Sequence, residues 1–245
     1  MDKKTLAEIG KKKGLTNKEH IEKDYFQDML LFRLYNKTNR LVFKGGTALY
    51  KNYRLPRFSE DLDFNILEKF NIEKLVKSIA GQMEGKTSVR KTKDSLLFKI
   101  AFKGILTEYN TLRIDVSAKN KALAGFDVKN YVPDYIDISP FSMRVLKLEE
   151  MTAEKIHALF ARHKSRDLYD LFFLLRMSVV NKNLVEKKLA IFGMKFDMKK
   201  FTDAVSDMES LWKPELKPFV LEALPDFPTV KNFVVEKTSE AMHAA

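Results

Sequence analysis

The chain has 245 residues, 44 Lys and Arg against 33 Asp and Glu, a net charge of +11 and no cysteine. That length buries a sizeable core, and the missing cysteine excludes disulfides, thiolate metal sites and cysteine nucleophiles, which suits a reducing cytoplasm. The longest apolar stretches, such as 168–175, are too short and too interrupted by charge to span a bilayer, and the basic balance favours polyanionic partners, although lysine-rich helices also serve solubility alone.

Residues 1–40 read as helical, poorly ordered around Lys11-Lys12-Lys13-Gly14 and then capped at Thr16 or Asn17. Leu41-Val42-Phe43 is an apolar run that ends at Gly45-Gly46, and Thr47 to Tyr53 has helical composition. The glycines therefore mark a strand-to-helix turn. Such a turn offers outward amides, close backbone approach and the positive end of a helix, which together suit the β- and γ-phosphates of a nucleoside triphosphate. Pro56 closes the helical segment. From Ser59 to Ile66 polar and apolar residues alternate: Ser59, Asp61, Asp63 and Asn65 share one face, and Leu62, Phe64 and Ile66 the other. Asp61 and Asp63 thus project together, about 6.5–7 Å apart along the strand, and suit a hard divalent cation.

Metal-assisted phosphoryl displacement calls for a third carboxylate. Leu96 to Phe102 reads as a strand, Gly104 to Asn110 as a turn and Thr111 to Ser117 as the returning strand. With Leu112, Ile114 and Val116 facing the core, Asp115 lies on the opposite face with Arg113 and Ser117. Paired beside the Asp61/Asp63 strand, it completes a three-carboxylate centre and can receive the proton of an attacking hydroxyl; otherwise it is an edge aspartate paired with Arg113 or a lysine. A helix is expected near Ile72–Gln82 and a polar loop around Lys119–Asp134.

Residues 148–245 read as helical, with breaks at Asn181, Gly193 and Pro214 to Pro218. Leu148 to Arg162 is amphipathic and carries Lys155, an ammonium able to neutralise a phosphate. Ser165 is placed as the N-cap of the next helix. Arg166 and Asp170 are four apart, the spacing of a structural ion pair, yet Asp170 opens an apolar run and needs a partner in Arg166, Lys155 or a ligand. His20, His157, His163 and His243 lack metal-ligand spacing and read as surface or packing residues. Strands followed by helices give an α+β chain, with residues 1–147 as one lobe and 148–245 as a helical second lobe.

These segments resemble a known family. Phe43-Lys44-Gly45-Gly46-Thr47-Ala48-Leu49 with Arg57-Phe58-Ser59-Glu60-Asp61-Leu62-Asp63-Phe64 is similar to the signature of the AbiEii/AbiGii-type toxins, nucleotidyltransferases of the DNA polymerase β-like superfamily. Lys155 in Glu154-Lys155-Ile156-His157-Ala158, and Arg166-Asp167-Leu168-Tyr169-Asp170, match its later helical motifs. The resemblance covers roughly residues 17–180. It implies a nucleotidyltransferase-like mixed sheet flanked by helices, transfer of a nucleoside monophosphate from a triphosphate, and Mg2+ (or Mn2+) as cofactor. Residue by residue, it implies that Asp61 and Asp63 bind the metal, that Gly45, Gly46 and Thr47 bind the triphosphate, and that Lys155 and Asp170 complete the pocket. Arg57 touches a phosphate or buttresses the strand, and Ser59 and Arg166 join the nucleotide-binding set. Glycine and threonine stand here where the superfamily usually has Gly-Ser. By the same resemblance the acceptor is RNA, tRNA included, and an antitoxin protein is a partner. Nucleotidylation of a protein or small molecule, and a nucleotide-binding regulator without turnover, stand as alternatives.

Overall fold

The structure, a computed structural model, describes residues 1–117 and 121–243. The chain is α+β and divides into two compact units. The first comprises residues 1–54, 58–121 and 126–145; the second comprises 55–57, 122–125 and 146–245.

The first unit opens with α1 (Lys3–Lys12), capped by the Asp2 carboxylate, and α2 (Lys18–Tyr35), capped by Asn17. Of the lysine run expected to be poorly ordered, Lys11 and Lys12 end α1 and Lys13 is its C-cap, held by its ammonium to Asp24 at 2.6 Å and to Asp134 at 3.0 Å. β1 (Leu41–Lys44) runs straight into α3 (Gly45–Tyr53), and Arg54 in the left-handed conformation ends that helix before Pro56 is reached. β2 (Asp61–Ile66), α4 (Ile72–Gln82), β3 (Lys86–Lys91), β4 (Ser95–Lys103), β5 (Tyr109–Ser117), β6 (Phe126–Tyr131) and β7 (Phe141–Leu146) follow. The polar loop expected over Lys119–Asp134 is interrupted by a strand, β6, over Phe126–Tyr131. β6 keeps the period-2 burial of an edge strand despite its polar composition, while Lys119 and Asn120 lie outside the described residues.

The seven strands form one mixed sheet in the order β3-β4-β5-β2-β1-β7-β6. β2 lies antiparallel to β1 and parallel to β5, and β1 is parallel to β7. One face of β2, β4 and β5 buries Leu62, Phe64, Phe98, Ile100, Phe102, Leu112, Ile114 and Val116, with α2 and α4 packed in the same unit. At about 1.5–3 kcal/mol per buried side chain, this face fixes the register: a one-residue slip would turn the whole set to water.

The second unit is built on α5 (Leu148–Arg162), α6 (Ser165–Leu174), α7 (Lys182–Ile191), α8 (Met198–Ser206), α9 (Glu209–Leu216) and α10 (Phe227–His243). Two expectations are corrected here. Ser165 is the first helical residue and not the cap; its hydroxyl is buried without a partner, and its amide instead donates to Glu215 at 2.9 Å. Pro214 sits inside α9 as its sixth residue, so the break expected over Pro214 to Pro218 falls only after Leu216, at Lys217 and Pro218. Among the described residues no helix is long and apolar enough to cross a membrane.

Candidate active site

In the first unit the sheet brings the sequence-separated acidic segments side by side. Across the parallel pair, Asp63 stands opposite Asp115 and Asp61 opposite Arg113. Neighbouring strands lie about 4.8 Å apart and residues i and i+2 share a face, so the three aspartates project from one face of adjacent strands. Asp61 is exposed, and Asp63 and Asp115 are half-buried. Across the antiparallel pair, Lys44 stands opposite Asp63. Among the described residues no group of three or more His, Asp or Glu side chains is gathered closely enough to hold a metal ion.

The glycine turn borders this face. Gly45 has φ +75, and a Cβ built there would run into the Asp63 carboxylate, so only glycine lets the chain pass at this point. No side chain caps α3, whose first amides have no intrahelical acceptor. Thr47 is buried and its hydroxyl donates to the Asp61 carbonyl, fastening helix to strand. Ser59 is buried, and its carbonyl accepts from Gln27 Nε2 at 2.9 Å. Two polar groups on this face have no partner in their buried surroundings: Asp115 Oδ1, and both amide atoms of Asn65. Asn65 belongs to the same row as Asp61 and Asp63, and the alternation that found those aspartates finds it too. Lys44 was legible only as the residue that ends the strand.

The donors on this face are carboxylate oxygens, one of them buried and orphaned, the class of ligand that a hard cation such as Mg2+ or Mn2+ takes.

The remaining expected residues are gathered in the second unit. Arg57 donates from Nε and Nη2 to the two Asp170 oxygens at 2.8 and 2.7 Å, and Lys155 Nζ reaches Asp170 at 2.7 Å and Asp167 at 2.8 Å. Arg162 adds a second bidentate pair on Asp167 at 2.7 and 2.8 Å. Burial pushes the Lys155 ammonium down, but Asp167 and Asp170 outweigh it and hold the group above the usual lysine value. Burial likewise pushes Asp167 up, and Lys155 and Arg162 carry it below the usual carboxylate range. Lys155 is therefore a fixed positive charge and not a proton donor at neutral pH. The Arg166–Asp170 pair suggested by spacing does not form: Asp170 takes Arg57 and Lys155, while the Arg166 guanidinium lies 4.8 Å from the Phe219 ring centre. His20 and His157 are packing residues, stacked on Phe58 and Phe192.

Residues 30–235 match the family model described as "Nucleotidyl transferase AbiEii toxin, Type IV TA system". The chain belongs to the AbiEii family. It is accordingly a nucleotidyltransferase of the toxin class, whose family implies a nucleoside triphosphate substrate and an antitoxin partner. Solved structures that share the fold include the following two. MenT4, a nucleotidyltransferase toxin from Mycobacterium tuberculosis, aligns at TM-score 0.65 and 17% identity over 98% of this chain and 90% of its own. JHP933 from Helicobacter pylori aligns at 0.57 and 22% over 92% and 93%. No curated protein matches the sequence.

Proposed function

We propose that this AbiEii-family enzyme transfers a nucleoside monophosphate from a triphosphate to a hydroxyl at an RNA end, tRNA included, with Mg2+ or Mn2+ bound by Asp61, Asp63 and Asp115. The observation that carries the reading is the β2–β5 register, with Asp63 opposite Asp115 and Asp61 one step along the same face, beside the uncapped start of α3. The acceptor oxygen attacks the α-phosphorus, the bond from that phosphorus to the bridging oxygen breaks, and pyrophosphate leaves. Asp115 takes the hydroxyl proton, a role suited to a carboxylate whose Oδ1 has no other partner. The amides at Gly45 and Gly46 and the Thr47 position hold the triphosphate. When bound, the divalent cation supplies charge neutralisation at the phosphates and lowers the pKa of the attacking hydroxyl.

Residues 1–147 form the catalytic lobe in this reading and 148–245 the helical lobe. Lys155 and Asp170 serve the reaction, and Arg57, Ser59 and Arg166 the nucleotide, as the family resemblance implies. The fixed cationic state of Lys155 supports a phosphate-neutralising role for it. A chain without cysteine suits work in the cytoplasm.

Incubation with each labelled triphosphate, Mg2+ and total RNA should label an RNA band, and Asp61→Ala or Asp63→Ala should abolish it. Label appearing on protein or on a small molecule would redirect the reading to those acceptors. Triphosphate binding without transfer would make the chain a regulator.

A further inference from the structure

The carboxylate-bearing face of the sheet continues beyond the site. On β3, Lys86, Ser88 and Arg90 project to it; on β4, Lys99 and Lys103; on β5, Tyr109, Thr111 and Arg113. Each is the register neighbour of the next: Ser88 stands opposite Lys99, Lys99 opposite Arg113, and Arg113 opposite Asp61. A second row runs from Arg90 through Leu97 and Asp115 to Asp63. All five cations are exposed, as is Tyr109 at 60%. Among the described residues none of the five carries an ion pair, in contrast to Lys13, Lys51, Lys155 and Lys188 elsewhere in the chain. The outer end of the face opens into a hollow of about 560 Å³ whose lining includes three lysines, Lys86, Lys99 and Lys103, two carboxylates, Glu84 and Glu108, and Tyr109.

We propose that this face is the track on which the acceptor lies: a single-stranded nucleic-acid backbone running from the β3–β4 edge to Asp61, with a base stacked on Tyr109. The proposal rests on the transfer reaction above and adds where its acceptor binds. Three inter-strand steps of about 4.8 Å put Arg90 about 14 Å from Asp63, so a strand of a few nucleotides reaches from the edge to the carboxylates. Unpaired lysines and arginines in rows meet phosphates at low desolvation cost, and an exposed aromatic ring among them is the stacking platform that sequence-tolerant single-strand binders use. An acidic protein would satisfy the cations but leaves the exposed tyrosine unexplained.

The test uses the full chain and a fluorescent 12-nucleotide single-stranded RNA, with anisotropy titrations over a range of salt. Removing one lysine–phosphate pairing should flatten the slope of log affinity against log salt by about 0.7 for a single strand. Lys86→Gln/Lys99→Gln/Lys103→Gln is therefore expected to weaken binding at least tenfold and flatten the slope by about 2. Tyr109→Ala should weaken binding at least fivefold without changing the slope. Thermal unfolding midpoints check that each variant is folded, and if the triple variant fails there, Tyr109→Ala and Lys103→Gln alone decide. Unchanged affinity and slope in the variants overturn the track, as does displacement of RNA by polyglutamate of equal charge with no Tyr109 effect, which would point to an acidic protein partner. If the wild-type chain labels RNA and the triple variant labels it equally well at limiting RNA, the track fails while the transfer reading stands. If RNA binds along the track but no label is transferred, the track stands and the transfer reading fails.

Discussion

Two sets of aspartates in the same unit are treated in opposite ways. Asp24 and Asp28, one turn apart on α2, are wholly buried and saturated: Lys51, itself buried, reaches them at 2.8 and 2.6 Å, Lys13 reaches Asp24, and the Tyr135 and Tyr131 hydroxyls donate to Asp24 and Asp28. Asp61, Asp63 and Asp115 lie on neighbouring strands, exposed or half-buried, with a buried Asp115 oxygen left unpartnered. The first arrangement has spent its charges on internal partners and can only hold structure. The second keeps like charges close together, a cost to folding that a bound cation would offset. The α2 pair is thus held by named buried lysines, whereas on the strand face the buried Asp115 oxygen is left without a hydrogen-bond partner.

The comparison breaks most sharply on transfer activity. Asp63→Asn is expected to lower nucleotide transfer by at least about a thousandfold while leaving stability within about 1 kcal/mol, checked by labelling and urea unfolding of one preparation. Asp24→Ala should do the reverse in kind: it takes from Lys51 and from Lys13 one of the two carboxylates each holds, and urea unfolding should register a loss of about 3–5 kcal/mol. Gly45→Ala tests the border of the site. Its positive φ and the collision with Asp63 should reduce stability by about 1–3 kcal/mol and transfer by more than that loss of folded protein explains.

The smallest effect is one of pH. Burial pushes Asp24 up, yet Lys51 and Lys13 outweigh it and hold it below its ordinary 3.8. Its contribution is therefore complete above that value and is lost as pH falls below it. Asp28 has the opposite sign. Burial, aided by the Asp24 charge, holds it above 3.8 despite Lys51, so keeping it ionised costs stability as pH rises through the interval above 3.8. Asp28→Asn should accordingly gain stability relative to the wild type between about pH 4 and about pH 7, measured by urea midpoints at both values.

What the residues disclosed in advance followed from periodicity. The alternation over Ser59–Ile66 and Thr111–Ser117 gave both strands and the shared face of their aspartates, and the apolar spacing of 148–162 gave α5 to the residue. Strand order was not legible. Nothing in Thr111–Ser117 says that its neighbour is β2, because pairing is decided by how the apolar faces of distant segments pack together. The Asp24–Asp28–Lys51 network was hidden for a related reason: an aspartate pair at i, i+4 looks like a solvated helix face until the lysine that buries with it arrives from another helix. Arg57 and Asp170, 113 residues apart, illustrate the same limit in the second unit.

The parallel pairing of β2 with β5 also sets a timetable. Asp63 is synthesised 52 residues before Asp115, counting from position 63 to 115, and β3 and β4 must be made between them. Pairing across such a separation forms late in folding, after local helices and hairpins. A nascent or truncated chain that ends before Thr111 carries two of the three acidic groups and cannot assemble the rest. On the proposed reading, nucleotide transfer therefore waits on closure of the β2–β5 pair.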